Sequence, residues 1–296
     1  MEYYSTGALK RAAGVKMVKN SKLLIGSFML QAVILIAFVV ILSIAMLGTV
    51  FQPVVRLIEN MDPTGDIAKV QEELIALLST PRYQIIINVI HASVGALITT
   101  LLTGFSYICL KTTRAEEAKI TNLFFVYRNN PDRVILLYLL SFVIQLLIEA
   151  PADVLGYLAG INPGNALLSM FASLLSIASL VLSFIFTLLV SQVYYIYLDD
   201  TQKSVPEVFR EGLQLMKGHK ARLFFLWLSF LPWVLLCIFL FFVCATMAQY
   251  LLLPGILLSI LAIGTILAYV VPYMEMSFAE FYRNLKREPL WISTEN

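Results

Sequence analysis

The 296-residue chain is 59% hydrophobic and only 14% charged, against about 45–50% and about 25% in soluble domains. A globular core of this length cannot bury so much apolar surface, which excludes an ordinary soluble enzyme and makes a bilayer the solvent for most of the chain. With a net charge of only +2 the composition gives no sign of a nucleic-acid partner, and the information lies in where the charges sit.

From the N-terminus, Leu9, Ala13 and Met17 share one face of a short amphipathic helix, and Lys10, Arg11, Lys16, Lys19 and Lys22 precede an apolar run from Leu23 to Phe51. That run is far longer than the about 7–15 apolar residues of a signal peptide, so it reads as a retained anchor. The segment from Gln52 to Arg82 carries Glu59, Asp62, Asp66, Glu72 and Glu73, with Ile67, Val70, Leu74, Leu77 and Leu78 at helical spacing. It is expected to form an amphipathic cap. Five more spans follow, over Tyr83 to Leu110, Val134 to Leu158, Leu167 to Leu198, Leu223 to Met247 and Leu251 to Tyr273, each long enough to cross about 30 Å of hydrocarbon. The fourth is the longest and must tilt or project.

Between spans, Thr113 with Glu116 and Ser204 with Glu207 have the spacing of capping boxes. The first is followed by Ile120, Leu123, Phe124 and Tyr127 before Pro131, the second by Val208, Phe209, Gly212, Leu213 and Met216 before Gly218, which suits a left-handed stop. Both read as short helices lying on the membrane, apolar face down. The fold expected is all-α: one polytopic membrane domain over 1–296, six transmembrane helices in three hairpin repeats, and short amphipathic cytoplasmic helices. The repeat rests on Tyr107 to Leu110 matching Tyr195 to Leu198 and Leu140 to Phe142 matching Leu228 to Phe230 at one separation, and on Leu9-Lys10 and Lys22-Leu23 matching Phe209-Arg210 and Arg222-Leu223.

Orientation follows from charge. Of the 21 Lys and Arg, 18 fall in the N-terminal segment, 111–133, 199–222 and the tail, and only Arg56, Lys69 and Arg82 fall on the other side. The positive-inside rule places the termini and both basic loops in the cytoplasm. Tyr194, Tyr195, Tyr197 and Trp227 mark the inner interface, and Tyr83, Tyr157 and Tyr250 the outer one.

No phosphate-binding glycine loop, dinucleotide fingerprint, HExxH or CxxC is present, and the chain has two histidines, His91 and His219. No catalytic residue, metal or cofactor is assigned. Cys109, Cys237 and Cys244 sit in apolar runs and read as packing residues. Within the spans, His91 and Glu149 fall at matched depth, as do Asn88 and Asp153, and Gln145 completes the group. Intramembrane ionisable residues are costly and are usually paired and turned inward, so these five form either a ligand or proton site, with His91 expected beside Glu149, or a hydrogen-bonded packing element. Ser169, Ser173, Ser176, Ser179 and Ser183 draw a stripe along the fourth span, read as a helix contact or a water-lined path, with Gly95, Thr99 and Thr103 as its expected partner face. Pro232 and Pro272 are expected to kink their helices. Lys217, His219, Lys220 and Arg222 form a basic cluster expected to face anionic lipid.

At Met216-Lys217-Gly218-His219-Lys220, Leu228-Ser229-Phe230, Trp233, Pro272-Tyr273 and Phe281-Tyr282 the chain resembles a bacterial membrane-protein family filed as domain of unknown function 975. The likeness is firmest from Ser204 to Tyr282. It implies a six-helix protein of the bacterial inner (plasma) membrane and no catalytic residue. Two functions are then expected: transport or binding of a small or lipid-like solute, or a non-catalytic accessory or scaffold role holding anionic lipid or a partner protein.

Overall fold

The computed structural model describes residues 4–47, 80–162 and 164–288, with 52, 55 and 74–77, apart from the side chains of 47, 244, 245 and 247–260. Most of the expected acidic cap, the side chain of Cys244 and that of Tyr250 lie outside the described residues.

The first helix, α1 (Thr6–Lys19), starts at Ser5, whose hydroxyl accepts from the Ala8 N–H at 3.3 Å. Asn20 separates it from α2 (Ser21–Leu47). Pro81 opens α3 (Pro81–Thr113), where its missing N–H costs nothing. A 3₁₀ turn (Ile120–Phe124) and one turn of helix, α4 (Phe125–Arg128), lead to α5 (Pro131–Ile161). Then come α6 (Ala166–Val190), α7 (Val193–Asp199), α8 (Val205–Leu215), α9 (Lys220–Leu228) and α10 (Leu231–Leu285). No strand occurs among the described residues.

Among the described residues six helical segments are long and apolar enough to span a membrane: Ser21–Met46, Pro81–Thr113, Pro131–Ile161, Ala166–Asp199, Lys220–Val243 and Leu261–Leu285. Five follow the expected bounds closely, whereas the sixth runs twelve residues further, to Leu285. The long fourth span is two helices, broken at Ser191 and Gln192. In the fifth, Pro232 does more than kink the helix. It opens α10 after α9 has ended at Leu228, because a proline ring is tolerated in a first turn and not in a helix interior. The Phe230 and Tyr273 rings lie 5.5 Å apart, although a straight helix would hold them about 64 Å apart. The chain therefore doubles back within α10.

The protein-covered core sits at one end of the bundle. The 101–110 stretch of α3, Val134 and Leu137 of α5, Val190 to Leu198, and Met276, Ala279 and Tyr282 of α10 close around Leu123, Val126, Val208 and Phe209. Away from that end, Ile36, Ile41, Ile85, Leu147, Leu180 and Phe239 are exposed, as lipid-facing residues must be.

That core corrects part of the reading of the loop helices. Leu123, Val126, Val208, Phe209 and Met216 are covered by protein, whereas Ile120, Tyr127 and Leu213 stay exposed. The Gly212 face of α8 packs on Val193 and Ile196, and Gly104 of α3 lies so close to the Leu123 carbonyl that a Cβ would overlap it. Leu9, Ala13 and Met17 of α1 do share a buried face, and it lies against α10. The Ser204–Glu207 box forms, with the Ser204 N–H donating to Glu207 at 2.9 Å, and Gly218 is left-handed with φ +81°. The Thr113–Glu116 box does not, because α3 runs through Thr113. Instead the Asn122 side chain accepts from the Lys119 N–H at 2.7 Å.

Candidate functional site

Two polar groups were candidates, and the structure treats them differently. In the spans, Glu149 Oε1 accepts from Gln145 Nε2 at 3.2 Å and from Ser183 Oγ at 3.0 Å. Ser179 Oγ donates to the Ile148 carbonyl at 3.2 Å. The buried half of the serine stripe thus packs on α5, and Gly95 of α3 faces Tyr138 of α5 instead of the stripe. His91 is elsewhere. Its ring meets Phe142 edge-on at 5.2 Å, and its carbonyl accepts from the Tyr138 hydroxyl at 3.3 Å. Phe142 is seven residues from Glu149, about 10 Å along the helix, so the α3–α5 register places the two ionisable groups about two turns apart. No ion pair joins them among the described residues. Asn88 is half-buried, one turn from His91, and Asp153 is exposed, one turn beyond Glu149.

The larger construction is at the core end. Glu280, 0% exposed, receives Lys16 Nζ at 2.5 Å and Arg283 Nη1 at 3.2 Å. Both cations also donate to the Thr113 carbonyl, at 2.6 and 2.5 Å, satisfying a terminal carbonyl of α3 where the helix dipole favours positive charge. Glu288 takes Arg283 at 2.8 Å and Arg114 at 2.6 and 3.2 Å. Asp199 takes Arg114 at 2.7 Å and the Tyr282 hydroxyl. Three cations face three carboxylates, drawn from α1, the residue that follows α3, α7, α10 and the turn after it.

Burial opposes ionisation of Glu288, but the bonds from Arg114 and Arg283 outweigh it and hold the carboxyl below its usual range. Burial likewise works against Arg114, whose bonds to Glu288 and Asp199 nonetheless raise it. Beside this network Glu211 bridges Lys203 and Lys286, each at 2.6 Å. Burial favours its neutral form, and the two lysines overcome that and lower it. An open groove of about 650 Å³ runs along Lys203, Pro206, Glu207, Arg210, Glu211 and Gln214. Glu149 is not among its lining residues.

The basic cluster divides. Lys217 and Lys220 are exposed, but Arg222 turns inward and donates to the Tyr4 carbonyl at 2.6 Å and Asn284 Oδ1 at 2.9 Å. Burial and then Arg222 lower the His219 imidazole, which disfavours its charged form. Lys10 is also spent internally. Its Nζ donates to the Ser229 carbonyl and hydroxyl at 3.2 and 3.1 Å and sits 4.3 Å over the Phe230 ring, tying α1 to the α9–α10 break.

Sequence reasoning missed Glu275, Glu280, Arg283 and Glu288 because the sixth span was ended at Tyr273 and the rest counted as tail. The available signal was the helical spacing of Met276, Ala279 and Arg283, all of which prove buried.

Residues 66–288 match the family described as Protein of unknown function (DUF975). The chain belongs to that family. Neither a curated protein nor a solved structure matches it. With six apolar helices of spanning length, this DUF975 chain is a multi-pass integral membrane protein.

Proposed function

We propose that the protein is a non-enzymatic accessory or scaffold protein whose basic end is cytoplasmic and engages anionic lipid. One observation carries the reading. The cations of the interior network are matched one for one by carboxylates, whereas Arg11, Lys19, Lys22, Arg128, Arg210, Lys217 and Lys220 remain exposed. Near a charged leaflet each such residue contributes about 1 kcal/mol. Replacing Arg210, Lys217 and Lys220 by Gln should lower enrichment of anionic over zwitterionic lipid, read by native mass spectrometry, about 100-fold. Unchanged enrichment would refute it. The location proposed is the plasma membrane with both termini inside. Labelling of single cysteines at 120 and 210 from the cytoplasm alone supports that, and labelling from outside reverses it.

A second reading is binding or transport of a small or lipid-like solute. It is favoured by Glu149, a carboxyl within the spans whose hydrogen-bond partners are the neutral Gln145 and Ser183. Glu149→Gln should then abolish solute binding at unchanged folded yield. The threefold repeat is part of the same proposal, supported by the sequence matches of Tyr107 to Leu110 with Tyr195 to Leu198 and of Leu140 to Phe142 with Leu228 to Phe230.

A further inference from the structure

Helix α1 is tied to the spans at both ends. Its last residue, Lys19, is separated by Asn20 alone from α2, which is itself a span from Ser21. Near its start, Lys10 Nζ donates to Ser229 of the fifth span, and the Tyr273 hydroxyl of the sixth donates to the Lys10 carbonyl at 3.2 Å. At 1.5 Å per residue Val18 and Val15 fall about 5 and 9 Å before the first span begins, and a bend at Asn20 brings them nearer. The polar layer beside the hydrocarbon is about 5–8 Å deep. The two valines therefore lie at its level.

A second observation is how the helix divides its charges. Lys10 and Lys16 turn inward with Leu9, Ala13 and Met17, and each ends on protein. The outer face presents Arg11, Val15, Val18 and Lys19, with Lys22 just beyond Asn20, all exposed, the valines at 51% and 67%. Steps of four and three from Arg11 place both valines on one stripe. Among the described residues no carboxylate stands within ion-pair distance of Arg11, Lys19 or Lys22, and the sequence has no Asp or Glu between Glu2 and Glu59. The occupant such a face calls for is anionic, and apolar just beneath its charge. An anionic leaflet is both: interfacial helices bury apolar side chains about 5–10 Å deep, and lysine and arginine stems reach back to the phosphates.

We propose that the outer face of α1 lies in the anionic headgroup layer, with Val15 and Val18 inserted and Arg11, Lys19 and Lys22 on lipid phosphates. The proposal rests on the anionic-lipid reading and adds to it an inserted element, separate from Arg210, Lys217 and Lys220.

The test places the photoreactive residue p-benzoylphenylalanine at position 15, 18 or 117 of the full chain, in vesicles of phosphatidylcholine and phosphatidylglycerol, and identifies the adducts by mass. Glu117, whose side chain is 79% exposed, is the control. Lipid adducts are expected at 15 and 18 and not at 117. Phosphatidylglycerol should exceed its bulk ratio in them by about fivefold or more, the effect of one basic residue near a charged leaflet. Arg11→Gln with Lys19→Gln and Lys22→Gln should return that ratio to bulk, whereas Arg210→Gln with Lys217→Gln and Lys220→Gln should leave it unchanged at these positions. Lipid adducts of bulk composition in the unaltered chain would refute the anionic-lipid reading and support the insertion. The absence of lipid adducts at 15 and 18, or crosslinks from them to a second copy of the chain, would overturn the insertion.

Discussion

Lys16 and Glu280 lie 264 positions apart in sequence and 2.5 Å apart in space. The carboxyl is inaccessible and also receives Arg283, so removing it strands two cations in a protein-covered site. Glu280→Ala should destabilise the protein by about 3–5 kcal/mol, the usual consequence of breaking a buried pair from one side. Denaturant unfolding in micelles reads this directly, and a loss under about 1 kcal/mol would mean the network does not hold the end together.

Two glycines on α3 should respond unequally to alanine. At Gly104 the obstacle is the Leu123 backbone carbonyl, and at Gly95 it is the Tyr138 ring and hydroxyl, the far end of a side chain. Backbone cannot move without displacing the whole 120–128 turn. Gly104→Ala should therefore cost about 1–3 kcal/mol or more through overpacking, and Gly95→Ala distinctly less. Equal melting temperatures for the two variants would contradict the difference.

Lys10 caps the α9–α10 break, since the Ser229 carbonyl it binds follows the last residue of α9. Lys10→Met keeps the aliphatic stem and removes the charge over Phe230. A cost of about 1–2 kcal/mol is expected, with faster hydrogen exchange confined to residues near 226–232. Exchange unchanged there would show that Pro232 alone fixes the break.

Acid should release the segment after α10 first. Despite burial, Glu288 and Glu211 are held below their ordinary range by Arg114 with Arg283 and by Lys203 with Lys286. Their folded pKa values lie under the unfolded value of about 4.3, so the stabilisation is complete above it and is lost as pH falls through the folded pKa. Limited proteolysis should show cleavage near Lys286 increasing below about pH 4 while the spans stay protected. Resistance equal to that at pH 7 would contradict this.

Hydropathy made the spans legible, and the split of Lys and Arg grouped four segments that the structure does bring to one end. Local signals also held where backbone chemistry is self-contained, as at Ser204 with Glu207 and at Gly218. Matching His91 to Glu149 failed for a long-range reason. Depth counted from span ends assumes in-register helices, and α5 is offset by about two turns against α3, a quantity set by side-chain packing such as Tyr138 against Gly95. Arg222 was likewise indistinguishable from Lys217 and Lys220 by spacing alone. Its inward turn follows from its place beside buried Leu223 and Leu226 on α9.

The closing of Lys16 on Glu280 also sets an order in time. At a synthesis rate of about 5–20 residues per second, the 264 residues between them take roughly 13–53 s to follow. Throughout that interval Lys16, and Arg114 until Asp199 has followed it, carry uncompensated charge of the kind that biases which way a nascent helix inserts. Only when the last helix arrives does Lys16 acquire its carboxylate and Arg114 its second, so the same side chains act first as orienting signals during biogenesis and afterwards as the fastening of the finished bundle.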